Sequence, residues 1–160
     1  MKAAFSAPSR VEVVLSRPGV DGQEGEKIKL LLSPSPIGFR EYLEACLPRP
    51  VIFVNGRPEG TDPKKGPGWS LDIQLVLLGK SLGDQVEAPF PATLDEAGLR
   101  AYVQSLRAEF ERANLTTGDI NQLLLGLERA NAGMGKARPG NGAGVGSAET
   151  AQSAEKSASP

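Results

Sequence analysis

Two amphipathic helices in the second half of the chain constrain its fold most strongly. Apolar side chains recur every three or four residues from Leu94 to Asn114 and again after Thr116, as on one face of an α-helix. The first stripe consists of Leu99, Tyr102, Val103, Leu106, Phe110 and Ala113, and the second of Ile120, Leu123, Leu124, Leu127 and Ala130. Neither helix can bury its stripe alone, so the two must pack on each other, on the N-terminal part of the chain, or on a partner protein.

Both helices carry start signals. Thr93–Glu96 predicts a capping box, in which Thr93 and Glu96 satisfy each other's backbone N–H groups, and Thr116–Asp119 predicts a second one. Leu115 and Ile120 are spaced to form a hydrophobic staple around the second box. The short joint between the helices predicts an αα-hairpin over residues 92–131.

Residues 10–91 predict a small α+β domain. Arg10 to Ser16 is rich in β-branched residues and Lys27 to Leu32 alternates apolar and polar, which together indicate a β-hairpin with a long loop. Ser35 followed by Pro36 predicts the start of a helix, with serine as its N-cap. The apolar face of that helix would contain Phe39, Tyr42, Leu43 and Cys46.

The rest of this domain predicts one strand, one loop and one ambiguous segment. Val51–Val54 is a short apolar strand, and Asn55-Gly56 after it is a strong turn signal. Arg57–Gly68 has three prolines and three glycines and predicts an exposed loop. Leu71–Leu82 fits a helix or a strand; its length, and Gly83 at the C-cap position, favour the helix.

The two ends of the chain predict little order. We expect residues 1–9 to be a flexible lead-in, and residues 132–160 are a low-complexity tail of Gly, Ala, Ser, Glu and Lys. Such a tail buries too little apolar surface to offset its ordering entropy, so we expect it to be disordered. The predicted fold is therefore α+β: a β-hairpin or small sheet with a helix, then an αα-hairpin and a disordered tail.

Composition argues against catalysis. The chain has no histidine, the commonest general base, and its single cysteine, Cys46, excludes an intrachain disulfide. A net charge of −1 argues against a nucleic-acid partner, and no apolar run is long enough to span a membrane. Gly79-Lys80-Ser81 lacks the first glycine of a phosphate-binding loop, since Gln74 occupies that position. We expect a cytoplasmic protein that is not an enzyme and has no cofactor or metal.

The apolar stripes and the single tryptophan are the candidate interaction surface. Trp69 could be either a core anchor or an interface hot spot, and core is favoured. The candidate surface consists of Trp69, Leu99, Tyr102, Leu106, Phe110, Leu123, Leu124 and Leu127.

The order of these parts resembles a known family. After the β-rich opening come Phe39–Ala45, the segment Pro50–Pro58, the run Leu75–Gly79, the proline-flanked Val86–Pro91 and the capped helix pair around Leu115–Ile120. Over residues 28–131 this layout is similar to the tail assembly chaperones of long-tailed, siphovirus-like bacteriophages. The resemblance implies a non-catalytic protein that binds the tape measure protein, tail tube subunits or both, and it leaves a homo-oligomer open.

Two alternatives remain open. One is a structural virion protein, such as a tail or head–tail joining component. The other is a β-grasp-like binding or carrier domain, which the segments Val54–Gly56 and Leu82–Glu87 resemble. Sulfur carriers of that type end in Gly-Gly, whereas this chain ends in Ser159-Pro160, which disfavours carrier chemistry.

Overall fold

Within the described part of the chain, two β-strands, one α-helix, two further β-strands and three α-helices follow one another in an α+β arrangement, as predicted. The computed structural model describes residues 10–17, 19 and 25–134. Its elements are β1 (Val11–Ser16), β2 (Lys27–Leu32), α1 (Phe39–Cys46), β3 (Val51–Val54), β4 (Arg57–Thr61), α2 (Gly66–Leu82), α3 (Glu96–Arg112) and α4 (Thr117–Met134), with a 3₁₀ turn at Gly83–Gln85. The predicted lead-in, residues 1–9, and the predicted tail beyond residue 134 lie outside the described residues. Residues 132–134, predicted as part of the tail, instead extend α4.

The N-terminal hairpin forms one wall of the core. β1 and β2 pair in antiparallel register, with Val13 opposite Leu30 and Leu15 opposite Ile28. Val13 and Leu15 point into the core, while Glu12 on the other face is exposed. The predicted β-hairpin is therefore confirmed, and its alternation of apolar and polar residues selects the buried face.

α2 runs through the centre of the fold. It contacts α1, α3, α4 and β2. Its buried apolar residues occupy most of its circumference: Ile73, Leu75, Val76, Leu77, Leu78 and Leu82. A helix that is apolar on nearly all sides is a buried helix. This explains why the segment Leu71–Leu82 fits both the helical and the strand periodicity. The preference for helix is confirmed, and Gly83 is its C-cap, with a φ of 57°.

The predicted helix pair is present, and its two members pack on different neighbours. α3 lies against α2, whereas α4 lies against β1, β2 and α2. Close approach of α4 to the hairpin depends on Gly126, because a Cβ there would lie 2.7 Å from Leu32 Cδ1 and nearer still to Val13 Cγ2. A single hydrophobic cluster thus includes residues of both β1–β2 and the helix pair.

Three local predictions are corrected. α1 begins at Phe39 after Gly38 in the left-handed region (φ 77°), and Ser35 is not its N-cap. α3 is capped by Asp95, whose carboxylate accepts from Gly98 N at 2.7 Å, in place of the predicted Thr93 box. Aspartate ranks above threonine as an N-cap residue, so Asp95 is the better of the two neighbouring candidates.

The predicted loop Arg57–Gly68 is the third correction. Its first five residues form β4 and its last three begin α2, leaving Asp62–Lys65 as the connection. The Asn55-Gly56 turn explains the strand, since both residues have positive φ, 52° and 76°. Such a turn folds the chain straight back onto β3, even though Pro58 and Gly60 have low strand propensity.

The two hairpins form separate two-stranded sheets among the described residues. β1 pairs with β2 and β3 pairs with β4. A β-grasp fold needs one mixed sheet that contains both hairpins. The structure therefore contradicts the β-grasp alternative for the described part of the chain.

The joint between α3 and α4 has caps on both sides. Asn114, with a φ of 51°, ends α3, where Leu115 N donates to Phe110 O at 2.9 Å and Asn114 N to Glu111 O at 2.9 Å. This is the Schellman pattern. On the α4 side Thr116 N donates to Asp119 Oδ2 at 2.8 Å, and Asp119 N donates to Thr116 Oγ1 at 3.2 Å. The second predicted capping box is therefore confirmed.

Replacing Thr116 by alanine is expected to lower the free energy of unfolding by about 1 kcal/mol.

The hydrogen bonds from the Thr116 backbone and hydroxyl lower the pKa of Asp119 below its ordinary 3.8. A carboxylate with a lowered folded-state pKa stabilises the fold above its unfolded pKa, and this contribution disappears as the pH falls through the lowered value. Thermal unfolding of wild type and Asp119→Asn at neutral pH and at about pH 3 should therefore show their difference shrinking in acid.

Thr117→Ala is the matched control for the cap, because Thr117 is the adjacent first residue of α4. It should change stability by less than about 0.5 kcal/mol. Equal losses for Thr116→Ala and Thr117→Ala would contradict the capping assignment.

Candidate interaction site

Most of the sequence-predicted interaction surface lies in the core. Leu99, Tyr102, Leu106, Phe110, Leu123 and Leu127 are all buried. Trp69 and Leu124 are half-buried and pack against the same cluster. In this conformation the six buried side chains are not available to a partner, because α2 and the β1–β2 hairpin cover the apolar stripes of α3 and α4.

The β3–β4 hairpin, Val51–Thr61, is an apolar surface that the fold leaves exposed. All eleven of its residues are exposed. Phe53 is 67% exposed, and its neighbours Val51, Ile52 and Val54 are 38–41% exposed. Side chains of successive strand residues point to opposite faces, so this hairpin presents apolar groups on both faces. The sequence indicated the strand, but a run of four apolar residues is more typical of a buried strand.

The base of the hairpin is held by Asp62. Its N–H donates to Pro50 O at 2.8 Å, which closes the ladder. Its carboxylate accepts from Lys64 N at 2.8 Å and Lys65 N at 3.3 Å, and its carbonyl accepts from Gly66 N at 2.7 Å. One residue therefore joins the last rung of the hairpin to the first turn of α2.

Trp69 supports the same base from the side of α2. Its indole N–H donates to Leu47 O at 2.8 Å, and the Arg49 guanidinium lies 5.0 Å from the ring centroid. Leu47 itself is buried in the core. A cleft of about 330 Å³ opens beside Trp69 and is rimmed by Lys64 and Lys65. Trp69 thus anchors the segment that leads into β3, while the strands beyond it project from the core.

A second cavity, of about 490 Å³, lies beside Tyr102 on the opposite end of α2. The Tyr102 hydroxyl is buried and has no hydrogen-bond partner among the described residues. Burial, and secondarily the charge of Glu109, raises the pKa of Tyr102 to about 12. The phenol therefore stays protonated at neutral pH and cannot act there as a base. Lys80 Nζ lies 4.5 Å from the ring centroid of Phe90, which packs edge-on against Tyr102.

Gly79, Lys80 and Ser81 lie inside α2 and form no phosphate-binding loop. A Cβ at Gly79 would lie 2.7 Å from Leu106 Cδ1, so this glycine permits close packing of α2 against α3. The Ser81 hydroxyl donates to Ser33 O. These roles are structural.

The described residues contain no group of three or more His, Cys, Asp or Glu side chains placed to hold a metal ion. Within the same part of the chain, none of the helices combines the length and the apolar character needed to cross a membrane. Comparison of the sequence and fold with profiles of known protein families, with curated proteins and with solved structures gave no match.

Proposed function

We propose that this chain is a non-enzymatic protein-binding module that contacts its partner through the β3–β4 hairpin. The observation that carries the proposal is the exposed apolar strand β3, whose four residues Val51–Val54 lie outside the core on a projecting hairpin. Apolar side chains gathered at one exposed place favour burial by another protein, since removing them from water is worth about 25 cal/mol per Å².

The hairpin is suited to this role because it is held in place without being covered. Asp62 and Trp69 fix its base to α2 and to the segment before β3. A rigid apolar projection loses little conformational entropy on binding, so more of its burial contributes to affinity. Its two-residue turn also keeps the strands paired in the free protein.

We further propose that the partner belongs to a phage tail. The layout of residues 28–131 resembles that of tail assembly chaperones, which bind the tape measure protein and tail tube subunits in the cytoplasm of the host cell. In this proposal the hairpin holds an apolar segment of the tape measure protein or of a tail tube subunit until assembly buries it.

Replacing Phe53 by serine is expected to weaken binding to the purified tape measure protein or tail tube subunit by about tenfold to a hundredfold. This range corresponds to the loss of one buried aromatic side chain. Isothermal titration calorimetry measures the change. Because Phe53 is 67% exposed, the free protein should keep its unfolding midpoint.

Leu125→Ser is the matched control, since Leu125 is 51% exposed on α4 and remote in sequence from the hairpin. It should leave the affinity within about twofold. Equal losses for both variants, or no binding of either tail protein by the wild type, would contradict the proposal. Mass spectrometry of purified phage particles distinguishes a chaperone from a structural virion protein. A chaperone is absent from the particles, whereas a structural component is present in stoichiometric amount.

A further inference from the structure

The two edges of the β3–β4 hairpin differ in how they are protected. The β4 edge contains Pro58, which has no N–H to donate, and the charged residues Arg57 and Glu59. A bulge also interrupts β4, because Ile52 pairs with Gly60 and Phe53 with Pro58, which leaves Glu59 without a partner. Charge, proline and bulges are the devices that prevent a strand edge from pairing. The β4 edge has all three.

The β3 edge has none of these devices. Val51–Val54 contains no charged residue, no proline and no bulged residue. An exposed, uncharged, apolar strand edge is a template for a further strand. The contrast between the two edges of one hairpin favours β3 as the edge that pairs with a further strand.

The backbone of β3 has free groups at two defined positions. Pro50 O accepts from Asp62 N at 2.8 Å, and the two-residue turn makes Val54 and Arg57 a hydrogen-bonded pair. Antiparallel ladders alternate bonded and non-bonded pairs, so the N–H and C=O groups of Val51 and Phe53 point away from β4. These two residues supply the outer edge.

That edge is complementary to itself. If two copies of β3 meet antiparallel across a two-fold axis through Ile52, Val51 of each chain lies opposite Phe53 of the other. Both members of each such pair have outward N–H and C=O groups, so the register forms four backbone hydrogen bonds. Ile52 then lies opposite its own copy, and no like charges meet because Val51–Val54 are uncharged.

We infer that a second copy of this chain pairs with the β3 edge and forms a four-stranded antiparallel sheet. This deepens the proposed binding function, because the joined sheet doubles the apolar face that carries Phe53. The blocked β4 edge limits the assembly to a closed two-fold dimer, since each chain has one open edge in this hairpin. A free extended segment of another protein is the competing occupant of the same edge.

The first test measures molar mass and the effect of removing one edge donor. Sedimentation equilibrium of the full chain should show a concentration-dependent species of twice 16.8 kDa. Val51→Pro removes an outward N–H from each copy and should raise the dimer dissociation constant about tenfold to a hundredfold. Val51→Ala keeps the N–H and is the control, with a smaller effect. A wild type that stays monomeric, or Val51→Pro that dimerises as well as Val51→Ala, overturns the inference.

The second test uses disulfide trapping and does not depend on a proline being tolerated. In a Cys46→Ser background, Ile52→Cys places a thiol at the two-fold axis, in a non-bonded pair with a Cα separation of about 4.5 Å, which suits a disulfide. Val54→Cys on the same strand is the control, with a similar exposure of 41% against 38%. Mild oxidation should give a covalent dimer for Ile52→Cys and much less for Val54→Cys. Equal yields overturn the register.

The two proposals fail separately. Loss of tail-protein binding in Phe53→Ser with a monomeric wild type leaves the binding function standing and overturns the dimer. A dimer of the stated register without affinity for either tail protein does the reverse. A competition experiment identifies what else binds the β3 edge. If a partner segment converts the wild-type dimer to a heterodimer with one copy of each chain, the same edge also binds the partner. The inferred dimer stands in that case.

Discussion

Replacing Leu106 by alanine is expected to lower the free energy of unfolding by about 2–5 kcal/mol. Leu106 is fully buried on α3, and its Cδ1 packs into the gap left by Gly79 of α2. Alanine would remove the transfer free energy of the missing carbons and leave a cavity that two helices cannot close. The fluorescence of Trp69, the single tryptophan, gives the measurement in a urea titration, since its ring packs against the same core.

Leu125→Ala is the control for this prediction. Leu125 is 51% exposed on α4, so the same truncation should cost less than about 0.5 kcal/mol. If the two variants unfolded at the same urea concentration, Leu106 would not lie at the α2–α3 contact. A loss near the upper end of the range would unfold much of a domain of ordinary stability.

Replacing Gly126 by alanine is expected to make the protein less stable than the Gly133→Ala variant by about 1–3 kcal/mol. The new Cβ at residue 126 would overlap Val13, a stiff β-branched side chain on β1, and press on Leu32 Cδ1 of β2. Relief requires α4 to move away from the N-terminal hairpin, which opens the core between them. Thermal unfolding followed by circular dichroism measures the difference.

Gly133 is the matched position because it lies on the same helix, and a Cβ there would meet nothing within 4 Å. Alanine should stabilise α4 there by up to about 1 kcal/mol through its better helix propensity. The comparison thus separates helix propensity from the contact with the hairpin. Equal stability of the two variants would show that α4 does not pack on β1 and β2.

The candidate site could be predicted from sequence only in part. Asn55-Gly56 marks a turn by its conformational needs alone, and Val51–Val54 marks a strand. The pairing of Arg57–Thr61 was missed, because Pro58 and Gly60 suggest a loop when propensity is considered without the turn that precedes them. Exposure of Phe53 was also missed, since an apolar run has the same appearance on a surface as in a core.

The predicted interaction surface shows the reverse error. Leu99, Leu106 and Leu123 satisfy helical periodicity, and periodicity identifies a face that must be covered without naming what covers it. α2 and the β1–β2 hairpin cover these stripes, through contacts between residues far apart in sequence. A partner protein would have satisfied the same pattern equally well.

The sequence by itself determined the local elements whose signals depend on a few adjacent residues. Helical stripes, the Thr116–Asp119 cap and the Asn55-Gly56 turn arise from side-chain spacing and backbone conformations that neighbouring residues impose. Only the tertiary structure decided that α2 is central, that α3 and α4 bury their stripes, and that β3 remains uncovered. The reason is that burial depends on packing among segments distant in sequence. The hydrophobic effect is non-directional, so the gain from removing an apolar side chain from water does not depend on which segment covers it.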